Sequence, residues 1–340
     1  FPYTTLFRSF MSNSEKNNFG GVTNKQWNWK PSGLLEYSPL FVWPFNIVKF
    51  LSWFKETYLS ISIRVIVLFL SLGTWYFTMP ALERCVDFKY DWILEIFLRN
   101  LVLMFFVAGT LHLYFYSYKK QGLKLKFDPR DLSRNSKVFA FNNQVLDNMY
   151  YSVVYGVSFW SILEVMFMWL FANQHISMMT WSQSPTLFVL IIIVTPIWHS
   201  FHFYWIHRAL HWKPLYNKVH SLHHKNVNVG PWSGMSMHPI EIFIYLTSVF
   251  IHLVITSNPF HIIYHLQFMI FNAVIAHSGF DGLVLNDKKR LSLGRFHHQL
   301  HHRHFECNYG NAEMPWDKWF KTFHDGSDNA MADIRKNRIL

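Results

Sequence analysis

Residues Val165–Ile206 read VMFMWLFANQHISMMTWSQSPTLFVLIIIVTPIWHSFHFYWI and run directly into His207-Arg208-Ala209-Leu210-His211. No Asp, Glu, Lys or Arg interrupts that stretch, and Ile242–Phe280 is a second run of the same kind. At a rise of about 1.5 Å per residue and about 20 residues per crossing, each run is long enough for paired membrane spans. The whole chain agrees. Of 340 residues, 51% are hydrophobic and only 15% charged, where soluble domains carry roughly 25% charged residues. This composition excludes a disordered chain and points to an integral membrane protein.

Hydropathy places six spans at about 58–79, 93–116, 150–172, 186–206, 240–257 and 259–276. The last two are short and parted by Asn258-Pro259, which suits a helical hairpin that dips into the bilayer or packs on the other helices. Arg64, Arg99 and Glu164 lie within spans and are expected to face the bundle or reach an interface. The connection from Ser117 to Tyr150 holds seven Lys and Arg residues against three Asp, which marks it as cytoplasmic. Counting spans from there puts every histidine cluster on that same side. The formal charge of +11 thus follows from topology, and nucleic acid is not expected as a partner. Pro2–Ser9, reading PYTTLFRS, match the translation of a sequencing adapter, so residues 1–10 are expected to be an assembly artefact. The remaining expected divisions are a polar N-terminal region at 11–57, two spans with the basic loop at 58–144, a histidine-rich domain at 145–325 and a tail at 326–340.

Cys85 and Cys307 form no CxxC pair, so cysteine chemistry does not lead. Histidine does: the chain has 20, and 18 of them fall between His199 and His324. His207 and His211 are an i, i+4 pair, and His220-Ser221-Leu222-His223-His224 and His298-Gln299-Leu300-His301-His302 are two HxxHH clusters. On a helix those spacings put imidazoles on one face. Eight imidazoles gathered beside a membrane would repel if protonated and would lose hydration if buried without partners. A metal centre removes both costs, and eight nitrogen donors are too many for one ion. Two ions are implied, and imidazole alone leaves their identity open among Fe, Cu, Zn and Ni. The HExxH spacing of zinc proteases is absent. His112, His175, His252, His261, His265 and His324 stand alone and read as structural hydrogen-bonding groups. The expected fold is therefore an all-α membrane bundle with a cytoplasmic helical cap carrying a His-rich di-metal site.

HRALH, HSLHH and HQLHH, in that order, resemble the three histidine boxes of the fatty acid hydroxylase and sterol desaturase superfamily of membrane-bound di-iron oxygenases. FHFYWIHRALHW, MHPIE, AHSGFDG and HHRHFECNYG are similar to that family's surroundings, and the resemblance covers about 145–325. It implies that His207, His211, His220, His223, His224, His298, His301 and His302 are metal ligands, with His238 and His277 as further ligands or close neighbours. Family members often carry Asp shortly before the first box, where this chain has His202 or its neighbours. Arg208 and Glu241 are candidates for ion pairs behind the ligands, and Asn308-Tyr309-Gly310 for a turn that orients the last box.

The family chemistry implies two Fe ions, O2 as co-substrate, and hydroxylation or desaturation of an unactivated C–H bond of a fatty acyl or sterol-like lipid drawn from the bilayer. The chain has no GxGxxG and no CxxCH, so electrons come from outside, with a cytochrome b5-like or ferredoxin-type donor on the cytoplasmic side. The expected location is a bacterial inner membrane or the endoplasmic reticulum. The rivals are a membrane haem protein, which needs isolated His pairs near span midpoints, and a non-catalytic lipid- or metal-binding protein on the same scaffold.

Overall fold

A computed structural model describes residues 15–16, 21–23 and 26–338. The adapter-like residues 1–10 lie outside the described part of the chain. Among the described residues, five helical stretches are long and apolar enough to cross a membrane: 47–77, 90–117, 144–172, 185–210 and 259–276. The first begins ahead of the expected start near 58 and is two helices. α1 (Ile47–Phe54) starts at Asn46, whose side chain accepts from Lys49 N, and the chain breaks at 60–62 before α2 (Ile63–Phe77), capped by Ser62. Residues 47–57 had been expected to be polar, yet Ile47, Val48 and Leu51 form an exposed apolar face.

α3 (Tyr90–Ser117) and α4 (Gln144–Ala172) follow, then α5 (Pro185–Leu210), which opens on a proline at its first position and carries HRALH at its far end. Exposed Phe69, Phe77, Val102, Phe106, Ile162 and Leu190 cover the outside of the bundle, the surface that lipid requires. The short α6 (Ser221–His224) leads to α7 (Pro239–Leu253), which is too short to span, so the expected hairpin consists of one short helix and one full one. α8 (Pro259–Ala276) is that full helix and the bundle's axis, buried over nearly all its length against α2, α4 and α5. Asn258 starts it by accepting from Phe260 N at 3.0 Å, while Pro259 supplies the fixed φ of the first turn.

The charges within spans face inward. Arg99 pairs with Glu164 at 2.5 Å, and Asn100 donates to the same carboxylate. Arg64 reaches Glu313 at 2.5 Å, which ties the first span to the C-terminal segment. In the middle of the bundle Gln267 accepts from Ser71 and donates to Thr74. Each pair or bridge satisfies polar atoms that hydrocarbon could not.

Beyond the spans lies the cap. α9 (Phe296–His304) packs Phe296 and Leu300 against Phe127 of the basic loop and against Trp27 and Trp29 from the N-terminal region. Arg303 stacks on the Trp27 ring at 4.2 Å. A two-stranded hairpin, β1 (Gly282–Leu285) with β2 (Lys288–Ser292), links α8 to α9. The cap thus holds the last turn of α5, α6 and α9 together at one end of the bundle.

Candidate metal centre

Three helix ends deliver the imidazoles. His207 and His211 close α5, His220, His223 and His224 lie along the turn into α6, and His298, His301 and His302 lie on α9. Their nitrogens sort into two sets, one of His207, His211, His220, His224 and His301, the other of His223, His277, His298 and His302. Within each set the donor atoms lie within 4.8 Å of one another. The two HH dipeptides explain the sorting. Adjacent helical residues point about 100° apart, so His223 and His301 serve one set each while His224 and His302 serve the opposite ones.

The closest approaches are between Nε2 atoms. His207 to His220 is 3.0 Å, His220 to His211 3.1 Å and His224 to His301 3.0 Å. In the second set His277 lies 3.0 Å from both His298 and His302. The other ring nitrogens fix the tautomers. Nδ1 of His207 donates to Tyr309 O at 2.6 Å, that of His301 to Cys307 O at 2.6 Å, and that of His277 to Ala273 O at 2.7 Å. His220 Nδ1 donates to the Glu241 carboxylate at 2.7 Å, and His223 Nδ1 to Ser236 O at 3.2 Å. An imidazole whose Nδ1–H is so used carries its lone pair on Nε2. His207 and His220 therefore face each other lone pair to lone pair, an arrangement that repels unless a cation lies between. The donor set fits two first-row metal ions bound through Nε2.

Burial also keeps these rings unprotonated. It holds His220, His224, His298, His301 and His302 well below the ordinary imidazole range, and neighbouring imidazoles push them in the same direction. His223 is pushed down to about 4 by the same burial. A site of neutral nitrogens offers its lone pairs at neutral pH.

Nine of the ten expected site residues converge. His238 does not: it starts α7, its Nδ1 accepting from Ile240 N at 3.2 Å. HPIE is a helix-capping sequence in this chain, and the residue it places behind the site is Glu241. His297 and His304 also stay outside both sets, which fixes the register of the last box on His298, His301 and His302. His304 stacks on His324 instead. Arg208 bonds the Tyr204 hydroxyl and lies over Phe320, so it braces α5 without reaching the ligands. His202 bonds Thr247 Oγ1 at 3.0 Å and has no part in either set.

Two supports had no sequence signal. Asp317 accepts from Tyr309 N and Gly310 N at 2.8 Å each and from Thr322 Oγ1 at 2.7 Å, holding the turn whose Tyr309 carbonyl orients His207. Burial pushes its carboxyl up to about 6. Gly234 allows its loop to touch α8, because a Cβ there would lie 2.5 Å from the Ala273 oxygen that orients His277.

A narrow, mostly apolar cleft with a cavity volume of about 50 Å³ runs along both sets. His207 and His220 of the first set and His223, His277 and His298 of the second line it, with Phe203, Ile206, Met237 and Tyr245 among its apolar walls.

The family model for fatty acid hydroxylase matches residues 191–322, which span all three boxes. Among curated proteins, the chain is 32% identical over 123 residues to a Delta(7)-sterol 5(6)-desaturase of Gibberella zeae, covering 35% of this chain and 36% of that protein. It is 29% identical over 133 residues to methylsterol monooxygenase 1 of Danio rerio, covering 38% and 44%. A Delta(7)-sterol-C5(6)-desaturase of Nicotiana tabacum aligns over 242 residues at 24% identity, covering 68% of this chain and 84% of that one. For the first two, the alignment spans less than half of the relative's length. No solved structure matches the chain.

Proposed function

Because this chain belongs to the fatty acid hydroxylase and sterol desaturase superfamily, we propose that it is a membrane-bound, O2-dependent di-iron oxidoreductase that hydroxylates or desaturates a lipid. One observation carries the reading: nine imidazoles bring their ligand nitrogens together in two sets beside an apolar cleft. His207, His211, His220, His224 and His301 would hold one iron, and His223, His277, His298 and His302 the other. Bound there, the iron pair supplies the O2 activation needed to break an unactivated C–H bond, which no side chain can do alone.

The chain's own residues do the rest. Tyr309 O, Cys307 O, Ala273 O, Ser236 O and Glu241 take the Nδ1 protons and hold each ring at a fixed angle. Phe203, Ile206, Met237 and Tyr245 exclude water and offer an apolar substrate a surface continuous with the bundle. Glu241 lies both behind His220 and on the cleft wall, so it couples ring orientation to the space beside the substrate.

The electron donor in this proposal is a cytochrome b5-like or ferredoxin-type protein docking on the cap. The cap faces the cytoplasm, on the argument that Lys119, Lys120, Lys124, Lys126, Arg130, Arg134 and Lys137 crowd the connection beside it. Lipid profiling of a host expressing the chain, beside the His223→Ala variant and with iron measured in both, tests the function. A new hydroxylated or unsaturated lipid made only by the intact protein supports it. Two retained irons with an unchanged lipid profile in a host with a competent donor would leave a binding protein and sink the enzyme.

A further inference from the structure

Two histidines on the cleft, His199 and His297, belong to neither set. His297 is 4% exposed and lies one helical turn before the ligand His301 on α9. Both of its ring nitrogens are buried, and neither has a hydrogen-bond partner. Its ring is wedged between Phe323 and Tyr37, at 5.9 and 6.2 Å between centroids, and it borders the cleft beside His298. An imidazole left in this state has lost its hydration at both nitrogens with no bond in return. A fold keeps such a group where a ligand completes it.

The other polar groups on the cleft are engaged in part. Asn311 accepts from Ser200 at 2.6 Å and from Glu313 N at 3.1 Å. Arg295 pairs with Glu313 at 3.5 Å, and the same carboxylate takes Arg64 at 2.5 Å. His199 leaves Nδ1 unpaired and Glu241 leaves Oε2 unpaired, the latter holding His220 through its other oxygen. Among the described cleft residues, His297 is the histidine with both ring nitrogens buried and unpartnered. Arg64 and Arg295 share the one Glu313 carboxylate, so a net positive charge remains near this end of the cleft.

We infer that His297 recognises a hydroxyl group on the lipid substrate. A hydroxyl both donates and accepts, which matches the one N–H and one lone pair of a neutral imidazole. The inference rests on the cleft being the lipid site of the proposed enzyme. A sterol alcohol and a long-chain alcohol share this chemistry, and the test separates them.

The test measures equilibrium binding to the iron-loaded full chain in lipid nanodiscs. The probes are a tritiated Δ7-sterol alcohol and tritiated hexadecanol, each beside its O-methyl ether. One of the two alcohols is expected to bind about tenfold more tightly than its ether, the worth of one hydrogen bond. Which alcohol does so names the source. In His297→Leu the preference collapses to within about twofold while ether binding is retained, and His297→Asn restores part of it, because a side chain that only packed would not distinguish alcohol from ether. Equal affinity for alcohol and ether in the wild type overturns the inference without relying on any variant, and so does a preference that survives in His297→Leu. Iron content and oxidised lipid are measured on the same preparations. If they remain normal while the alcohol preference is absent, His297 loses its role and the oxygenase stands; if iron is absent, the oxygenase reading itself fails.

Discussion

Two groups of buried histidines lie in this molecule, and they solve the same problem in opposite ways. In the bilayer half, His252 and His265 form a single file: Ser257 Oγ to His252 Nδ1 at 2.7 Å, His252 Nε2 to His265 Nδ1 at 3.0 Å, and His265 Nε2 to Ser248 Oγ at 3.1 Å. Each nitrogen meets one partner, so protons can be assigned along the file with every lone pair facing a donor. His261 is settled in the same manner, accepting from Asn258 N and donating to Phe188 O. In the cap, backbone carbonyls and Glu241 have already used the Nδ1 protons of His207, His220, His223, His277 and His301, and Nε2 atoms meet several at a time. No assignment of protons satisfies that geometry. Burial of imidazole is common to both regions; a surplus of lone pairs distinguishes the one that needs metal.

The sharpest way to break this distinction is to remove one ring from each region. His301→Ala is expected to lower product formation by more than about 100-fold and to reduce bound iron, because ligands that act as a unit fail together. His265→Ala should leave the iron content unchanged. Equal iron loss in the two variants would erase the contrast.

Next in size is the shell behind the ligands. Glu241→Ala frees the His220 ring and should weaken iron binding by about 10–100-fold, read by chelator competition, with fold retained by circular dichroism.

His265→Leu is a stability test. It strands His252 Nε2 and Ser248 Oγ, and the expected cost is about 1–3 kcal/mol in detergent unfolding with two irons still bound. A stability unchanged within error would show that the file contributes nothing.

The smallest effect is acid sensitivity of the metal-free cap. Burial pushes His223 and His304 down to about 4, below their unfolded value of 6.5. The unfolded chain therefore binds more protons between those limits. Stability contributed by these neutral rings is present above pH 6.5, is lost as pH falls toward 4, and levels off below. A step from pH 7 to 6 should cost under about 1 kcal/mol per ring, measured by thermal unfolding after chelation; a gain in stability over that step would contradict the burial seen here.

Much of the cap site was legible because helical periodicity is a short-range rule. HxxxH and HxxHH put rings on a shared face, and an HH dipeptide splits them between two centres. His277 was reached only through the HSG segment's resemblance, and His238 was misjudged because HPIE serves equally as a helix start. The span expected at 240–257 failed for a similar reason. Ile242–Phe280 is apolar throughout, and hydropathy cannot tell lipid contact from the protein contact that buries α8. Residues 47–57 were underestimated because Lys49, Lys55 and Glu56 dilute an apolar face that only a helix assembles.

By itself the sequence determined that the chain spans a membrane and that its imidazoles arrive in three helical groups, since both are local consequences of composition and spacing. Only the tertiary structure decided which five rings and which four share a centre, that His297 stays out of both, and that carbonyls of Tyr309, Cys307 and Ala273 take the Nδ1 protons. Every residue carries such a carbonyl, whether 102 positions away, as Tyr309 is from His207, or 6 and 4 away, as Cys307 and Ala273 are from His301 and His277, so its identity depends on which loop or turn the packing of α5, α8 and α9 brings behind each ring.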